Sequence, residues 1–226
     1  SYLASLISKT STSKALIYIR KGTYTFNGAL QNYLDYYCEP GVVFTGGRVT
    51  DQSYGAVNSN FYGYAIFSNT DIYISAASSV NFEFDYMSNS QGAFLIIPSS
   101  GLATVNIKAN YIYTSTFGTG YAITMSISRG IESVHSTIDV RSHIGEILIN
   151  GNIYLSSGNI YGGNLKQAII LRSASGVSTM KINGNVINKD TINYGGISSL
   201  ITYIGSDTKL NINGNIIGGP IKALDG

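Results

Sequence analysis

The tetrapeptide Ile182-Asn-Gly-Asn185 occurs three times in this chain, and its recurrence decides the fold. The other two copies begin at Ile149 and Ile212, which lie 33 and 30 residues from the central copy. The similarity extends upstream, because residues 168–182 align with residues 199–212 when one residue is deleted. Self-similarity with a period near 30 residues is typical of solenoids and related repeat architectures. The chain is therefore a repeat protein in which stacked units share one core.

Weaker copies of the unit begin near residues 65, 93 and 122. Two apolar runs alternate strictly with polar residues, Val80-Asn-Phe-Glu-Phe-Asp-Tyr86 and Val105-Asn-Ile-Lys-Ala-Asn110, which indicates half-buried strands. Apart from residues 2–8, no stretch has a helical pattern. These features predict an all-β fold, a single-stranded parallel β-helix with about 28–33 residues per coil. An antiparallel sandwich also contains many short strands, but it gives no reason for the repeated tetrapeptide.

The composition excludes several classes of protein. Only 12% of the 226 residues are charged, 44% are hydrophobic and the formal net charge is +2, which argues against a disordered chain and against a helical bundle. The single Cys38 excludes an internal disulfide framework, and with only His135 and His143 we expect no metal and no other cofactor. The balanced charge predicts no nucleic-acid partner. The sequence contains no apolar run of about 18 residues, so it predicts no membrane-spanning helix.

The first 60 residues do not follow the repeat, so we divide one continuous domain into entry coils or a cap, 1–60, and repetitive coils, 61–226. Residues 15–26 contain a strand, a Gly turn and a second strand, and residues 36–47 add a strand behind a Pro-Gly turn. This pattern, with Ile17-Tyr-Ile19 and Gly22-Thr-Tyr24, resembles the opening coils of the pectate-lyase-like superfamily, which includes many phage tailspikes and tail fibres. The resemblance implies a right-handed parallel β-helix that commonly has carbohydrate as its ligand or substrate.

Equivalent residues of successive coils stack about 4.8 Å apart, so aligned copies predict columns of side chains. We expect the inward column to contain Phe82, Ile107, Ile138, Ile182 and Ile212. The neighbouring outward column would contain Glu83, Lys108, Asp139, Asn183 and Asn213. The next outward column would contain Asp85, Asn110, Arg141, Asn185 and Asn215.

The charged part of these outward columns has two interpretations. Glu83, Lys108 and Asp139 could form an ion-pair ladder, which contributes roughly 0–1 kcal/mol per exposed pair. Alternatively, these coils form a saccharide-binding site, whose candidate residues are Glu83, Asp85, Lys108, Asn110, Asp139 and Arg141.

Five of the six residues are also catalytic candidates. Glu83 and Asp85 lie about 6.6 Å apart along one strand face, near the lower limit of about 6.5 Å for inverting glycosidases. Alternatively, Lys108 or Arg141 could act as the base or charge stabiliser of a lyase. Asp139 is the fifth candidate. The superfamily's catalytic signatures are not visible, since there is no Asp-Asp pair and no Gly-His-Gly. We therefore favour binding over catalysis.

The Asn pairs of the tetrapeptide also have two interpretations. Stacked amides hydrogen-bond along a solenoid axis, and Asn with Gly suits tight bends, so we favour a structural role over sugar binding. For Cys38 we expect the behaviour of a small buried hydrophobe.

Another strand of the unit is apolar on both faces, in residues 94–97, 123–127, 169–171 and 200–204. A solenoid strand needs only one buried face, so a loop or a partner subunit is expected to cover the second. Trimeric viral fibres pack parallel β-helices in that way, so the resemblance to tailspikes and tail fibres implies a homotrimer packed along this face.

These patterns lead to one preferred function and two alternatives. The preferred function is a structural and adhesion segment of a virion fibre or spike, on the virion surface or extracellular, whose partners are itself and a host glycan or another virion protein. A polysaccharide-degrading lyase or hydrolase and a bacterial surface adhesin are the alternatives.

Overall fold

The computed structural model describes residues 8–50, 58–74, 79–96, 104–119, 123–133, 138–141, 145–155, 167–172, 178–188, 199–204, 208–217 and 221–224. Within these ranges every regular element is a strand. No helix of the described part is long and apolar enough to cross a membrane. The strands are β1 Ala15–Ile19, β2 Gly22–Ala29, β3 Leu34–Cys38, β4 Val42–Thr50, β5 Ser59–Gly63, β6 Ile66–Ser68, β7 Asp71–Ile74, β8 Ser79–Ile96, β9 Thr104–Thr119, β10 Ile123–Ser133, β11 Ile138–Arg141, β12 Gly145–Asn150, β13 Asn152–Leu155, β14 Gln167–Arg172, β15 Ser178–Asn183, β16 Val186–Asn188, β17 Ser199–Ile204, β18 Thr208–Ile212, β19 Ile216–Ile217 and β20 Ile221–Leu224.

The strands form three parallel stacks, and each coil of the chain contributes one strand segment to each stack. The first stack runs β1, β3, β5, β8, β9, β10, β12, β15 and β18. The second runs β2, β4, β6, β8, β9, β10, β13, β16 and β19. The third runs β2, β4, β7, β8, β9, β11, β14, β17 and β20. The predicted all-β parallel β-helix is therefore confirmed.

The length of a coil varies more than the sequence predicted. Stacked asparagines are separated by 33 residues between Asn150 and Asn183, which matches the predicted length of about 28–33 residues. Nearer the N-terminus, Asn60 and Asn81 stack at a separation of 21 residues. The strands keep their register while the connections between them change in length, so the predicted period describes only the C-terminal coils.

The predicted inward column is wrong beyond its first two members. Phe82 pairs with Ile107 as expected, but Ile107 then pairs with Met125. Ile182 and Ile212 belong to the neighbouring inward column, which they share with Ile127 and Ile149. Because side chains alternate with a period of two, a slip of two residues keeps the apolar residues inward and leaves no trace in the hydrophobic pattern. The remaining member, Ile138, lies in β11 of the third stack.

The core is aromatic towards the N-terminus and aliphatic towards the C-terminus. The rings of Phe61 and Phe82 stack with centroids 4.6 Å apart and planes 9° apart, and both side chains are buried. Phe67 packs against this pair. In the later coils the buried positions are aliphatic, as at Ile149 and Ile182.

Tyr36 and Cys38 carry titratable groups in the aromatic part of the core. Burial raises the pKa of Tyr36 and of Cys38 to about 12 each. The Cys38 thiol is fully buried and stays protonated at neutral pH, so its predicted behaviour as a buried hydrophobe is confirmed.

Candidate functional site: the outer face of the first stack

A column of tyrosines lies on the outside of the first stack. Tyr18, Tyr37 and Tyr62 are register partners in β1, β3 and β5. Their ring centroids lie 5.1 Å apart for Tyr18 and Tyr37, and 5.3 Å apart for Tyr37 and Tyr62. Tyr18 is 53% exposed, while the other two are half-buried. Because residues that alternate with these tyrosines point into the core, the rings point outward.

The carboxylate of Glu39 holds Tyr18, the first tyrosine of this column. The hydroxyl of Tyr18 donates to Glu39 Oε1 at 2.8 Å, and the backbone N–H of Lys21 donates to Glu39 Oε2 at 2.9 Å. The backbone N–H of Lys21 and then the Tyr18 hydroxyl hold the pKa of Glu39 below its ordinary value, and the same carboxylate raises the pKa of Tyr18. The ring of Tyr18 is therefore fixed by its hydroxyl as well as by its neighbour Tyr37.

A column of polar side chains lies two residues earlier in each strand. Asp35 and Asn60 lie beside Tyr37 and Tyr62, and in the next two coils Asn81 and Asn106 lie beside Glu83 and Lys108. Asn106 Nδ2 donates to Asn81 Oδ1 at 2.7 Å, and Asn81 Nδ2 donates to Asn60 Oδ1 at 2.6 Å. Asn60 Nδ2 in turn donates to Asp35 Oδ1 at 2.8 Å. Lys14 Nζ lies 2.6 Å from the same Asp35 oxygen. All the amides point in one direction, and the ladder ends on a carboxylate that a lysine neutralises.

The ladder leaves hydrogen-bonding capacity for a ligand. An amide carries two N–H donors and two acceptor lone pairs, and each rung uses one donor and at most one lone pair along the column. Asn81 and Asn106 are exposed, so their remaining groups face solvent in the two coils that follow the tyrosine rings, beside Glu83 and Lys108.

In the coils that follow the tyrosines, a groove of about 220 Å³ crosses the same face. It brings together four of the six predicted site residues, Glu83, Asp85, Lys108 and Asn110. Asn110 Nδ2 donates to Asp85 Oδ1. The remaining lining residues are Gly63, Tyr64, Phe84, Ala109, Ser126 and Ser128.

The predicted ion pair between Glu83 and Lys108 is absent. The two residues are register partners in β8 and β9, and both are exposed. Ion pairs are formed elsewhere in the described part of the chain, at Lys14–Asp35 and at Arg48–Asp71. Glu83 and Lys108 therefore offer one acidic and one basic group at the groove, with neither group bound to the other.

The other two predicted residues lie in a different stack. Asp139 pairs with Gly118 and Ile170, and Arg141 pairs with Arg172, all in the third stack. The rung below Lys108 is Ser126 of β10. The predicted charge column through Asp139 and Arg141 is therefore wrong, because β10 supplies an additional coil that the sequence alignment did not recognise.

The tetrapeptide asparagines form a second ladder near the C-terminus. Asn183 Nδ2 donates to Asn150 Oδ1 at 2.8 Å. The backbone N–H of Asn185 donates to Asn152 Oδ1 at 2.9 Å, and that of Asn215 donates to Asn185 Oδ1 at 2.8 Å. The predicted structural role of these asparagines is confirmed.

The segments predicted to be apolar on both faces do not share one stack. Residues 94–96, 169–171 and 200–204 lie in strands of the third stack, whereas 123–127 lies in the first. Most of their side chains, and Ile97 entirely, lie outside the described residues. The expected cover for this face remains a prediction.

The sequence contained a signal for the outer face that we did not use. The strands that follow β1 read Asp35-Tyr-Tyr37, Asn60-Phe-Tyr62, Asn81-Phe-Glu83 and Asn106-Ile-Lys108. An Asx residue, an inward apolar residue and an outward functional residue recur at each rung. This triplet defines both columns and the start of the groove.

Comparison with known proteins assigns no function. No protein-family model, no curated protein and no solved structure matches the chain. Within the described residues, no three His, Cys, Asp or Glu side chains are grouped so that they could hold a metal ion.

Proposed function

We propose that this chain is a structural and adhesion segment of a virion fibre or spike, and that the outer face of its first stack binds a surface glycan. The observation that carries the proposal is the tyrosine column together with the amide ladder, which overlaps it at Asn60 and continues along the same face. Rings that lie 5.1 and 5.3 Å apart form a continuous apolar strip. A row of amides begins beside Tyr62 at Asn60 and continues past the end of this strip to Asn81 and Asn106.

The chemistry of this face suits sugars better than apolar partners. A sugar ring has apolar C–H faces and a polar edge of hydroxyls, so an aromatic ring next to hydrogen-bonding groups complements it. The amides supply both donors and acceptors, which hydroxyls also need. In the two coils that follow the strip, Glu83 and Lys108 add charged groups that select among glycans.

The attribution to a virion rests on the resemblance of residues 15–50 to the opening coils of tailspikes and tail fibres. A bacterial surface adhesin would use the same face in the same way. We also propose that the fibre is a homotrimer packed through the third stack, for which a monomeric mass in light scattering would be contrary evidence.

Binding is tested on an array of host and bacterial surface polysaccharides. Tyr37→Ala and Tyr62→Ala should each weaken binding roughly fivefold or more, as expected when an aromatic contact worth about 1 kcal/mol is removed. The matched control is Tyr86→Ala, since Tyr86 stacks on Tyr111 with centroids 5.6 Å apart in the second stack. Equal losses for all three variants would contradict binding at the first stack.

The groove favours a second candidate, a polysaccharide-degrading enzyme. Glu83 and Asp85 line it together with Lys108, and a carboxylate pair of this kind could act as general acid and base. Release of reducing ends or unsaturated uronates that disappears in both Glu83→Gln and Asp85→Asn would establish catalysis over adhesion. Binding without release would support adhesion.

A further inference from the structure

The groove lies where each coil turns from the first stack to the second, and this corner differs in length between coils. In β8 and β9 a single residue forms the corner, Asp85 in one strand and Asn110 in the other, because the register is the same on both sides of it. In β10 the register shifts by one residue between Ile127 and Gly130. The corner of β10 is therefore one residue longer than that of β9.

The coil before β8 also has a longer corner. Phe61 pairs with Phe82, and Ile66 pairs with Tyr86. Four residues lie between Phe61 and Ile66, but only three lie between Phe82 and Tyr86. The short corners of β8 and β9 therefore lie between two longer ones.

This difference in length bounds the groove along the rod. An extra residue in one strand makes a β-bulge, which bends the strand and re-aims its side chains. Before β8, Gly63 adopts a φ of 112°, where a Cβ would overlap the Cys38 carbonyl, and the next residue, Tyr64, is 54% exposed. In β10, Ser128 and Arg129 are both exposed. The groove therefore ends against exposed residues of a longer corner in both directions along the rod.

The groove is also small and polar. Its volume of about 220 Å³ is below the range of about 300–1,000 Å³ for pockets that enclose drug-sized ligands. Two carboxylates, an ammonium, an amide and two hydroxyls line it, those of Glu83, Asp85, Lys108, Asn110, Ser126 and Ser128. A sugar residue presents several hydroxyls within a small volume, and each hydroxyl both donates and accepts hydrogen bonds. One sugar residue therefore fits this lining better than a longer or more apolar ligand.

We propose that the groove binds a single sugar residue at the end of a glycan chain or of one of its branches. The inference rests on the proposed glycan binding by the first stack, and it names the part of the glycan that this face recognises. A residue in the middle of a chain that runs along the rod does not fit. Such a chain would meet Tyr64 in one direction and the longer corner of β10 in the other.

The first test uses single sugars, with saturation-transfer difference NMR as the measurement. The panel contains the methyl glycosides of glucose, galactose, mannose, rhamnose, fucose and the N-acetylhexosamines. At least one glycoside should bind. Its 3-O-methyl or 4-O-methyl derivative, which places a group where a chain would continue, should bind about tenfold more weakly because the closed groove is then overfilled. Tyr64→Ala or Arg129→Gly, which trims one end of the groove, should restore binding of that derivative.

A second test removes the groove without removing a side chain. Insertion of one glycine after Asp85 and one after Asn110 gives β8 and β9 the corner length of β10. Glycoside binding should fall about fivefold or more, as for other losses of a central contact. The matched control is Tyr24→Ala, which removes a tyrosine that is 39% exposed and lies outside the groove, and which should leave glycoside binding unchanged.

Circular dichroism shows whether the lengthened chain folds. If it does not, Glu83→Ala provides the same test, because it shortens an exposed side chain of the groove and should also weaken glycoside binding.

Three results would overturn the inference: no glycoside of the panel binds, binding is unchanged when the groove is removed, or the O-methyl derivatives bind as tightly as the parent glycoside. These results differ from a failure of the proposed function. If no glycoside binds but Tyr37→Ala still weakens binding on the polysaccharide array, the proposed function stands and this inference is wrong. If glycosides bind in the groove but no polysaccharide binds on the array, the reverse holds.

Discussion

The glycine of the repeated tetrapeptide occupies a position where successive backbones touch. A Cβ added at Gly184 would overlap the carbonyl of Gly151, and one at Gly214 would overlap the carbonyl of Gly184. The asparagines on either side hydrogen-bond to the preceding coil. The tetrapeptide recurs because its glycine allows the close approach and its amides join the rungs.

At this residue scale, we predict that Gly184→Ala lowers the free energy of unfolding by about 1–3 kcal/mol, the usual cost of overpacking. The control is Gly22→Ala, where the nearest atom is the hydroxyl oxygen of the flexible Tyr24 side chain at 3.0 Å. The control should change stability by less than about 1 kcal/mol. Urea unfolding of both variants measures the difference, and equal losses would contradict a specific backbone contact at Gly184.

At the scale of single strands, the sequence predicted which residues face inward but not which strands are neighbours. The alternation in residues 80–86 gives inward Phe82 and Phe84 and outward Glu83, as the structure has them. The neighbours depend on coil length, which is 21 residues between Asn60 and Asn81 and 33 between Asn150 and Asn183. Surface connections tolerate such variation because lengthening them costs little free energy.

The candidate site, too, was predicted correctly only in part. Two adjacent strands, whose alignment was predicted correctly from the sequence, carry four of the candidate residues. The structure places all four at one groove: Glu83, Asp85, Lys108 and Asn110. The predicted positions of Asp139 and Arg141 depended on a correct count of the coils before them. The alignment missed one coil, and both residues lie in another stack. The tyrosine column was missed because a count of tyrosines does not distinguish those that pack in the core from those that point outward.

The amide ladder gives a prediction at this element scale. Asn81 makes two ladder hydrogen bonds, one to Asn60 and one from Asn106, whereas Asn106 makes one with a described side chain, the one to Asn81. Asn81→Ala should therefore cost about 1–2 kcal/mol, at roughly 1 kcal/mol per bond or less for exposed groups. Asn106→Ala should cost about half as much.

Thermal unfolding of the two variants and of the double variant measures these contributions. The two substitutions remove one shared bond, so the loss in the double variant should be smaller than the sum of the single losses. Strict additivity would show that the ladder bond between Asn81 and Asn106 contributes nothing.

On the scale of the whole molecule, each coil pairs with the coil before and the coil after it. The first stack illustrates this, since β5 pairs with β3 and β8 but not with β15 or β18. Stability in such an array is approximately a sum of coil terms and nearest-neighbour terms. The stacked phenylalanines and the tetrapeptide ladder should therefore stabilise opposite ends of the rod independently.

Hydrogen exchange of two core variants tests this independence. Phe61→Leu removes the ring that stacks on Phe82 at 4.6 Å, at a cost of order 1 kcal/mol, and should speed exchange in β3, β5 and β8. Ile149→Val removes one buried methylene, at a similar cost of order 1 kcal/mol, and should speed exchange in β12 and β15. Neither variant should affect the other's strands by more than about twofold, because distant sites without shared partners behave additively. Uniform acceleration in all coils along the rod, from either variant, would mean that the rod unfolds as one cooperative unit and that its coils are not independent.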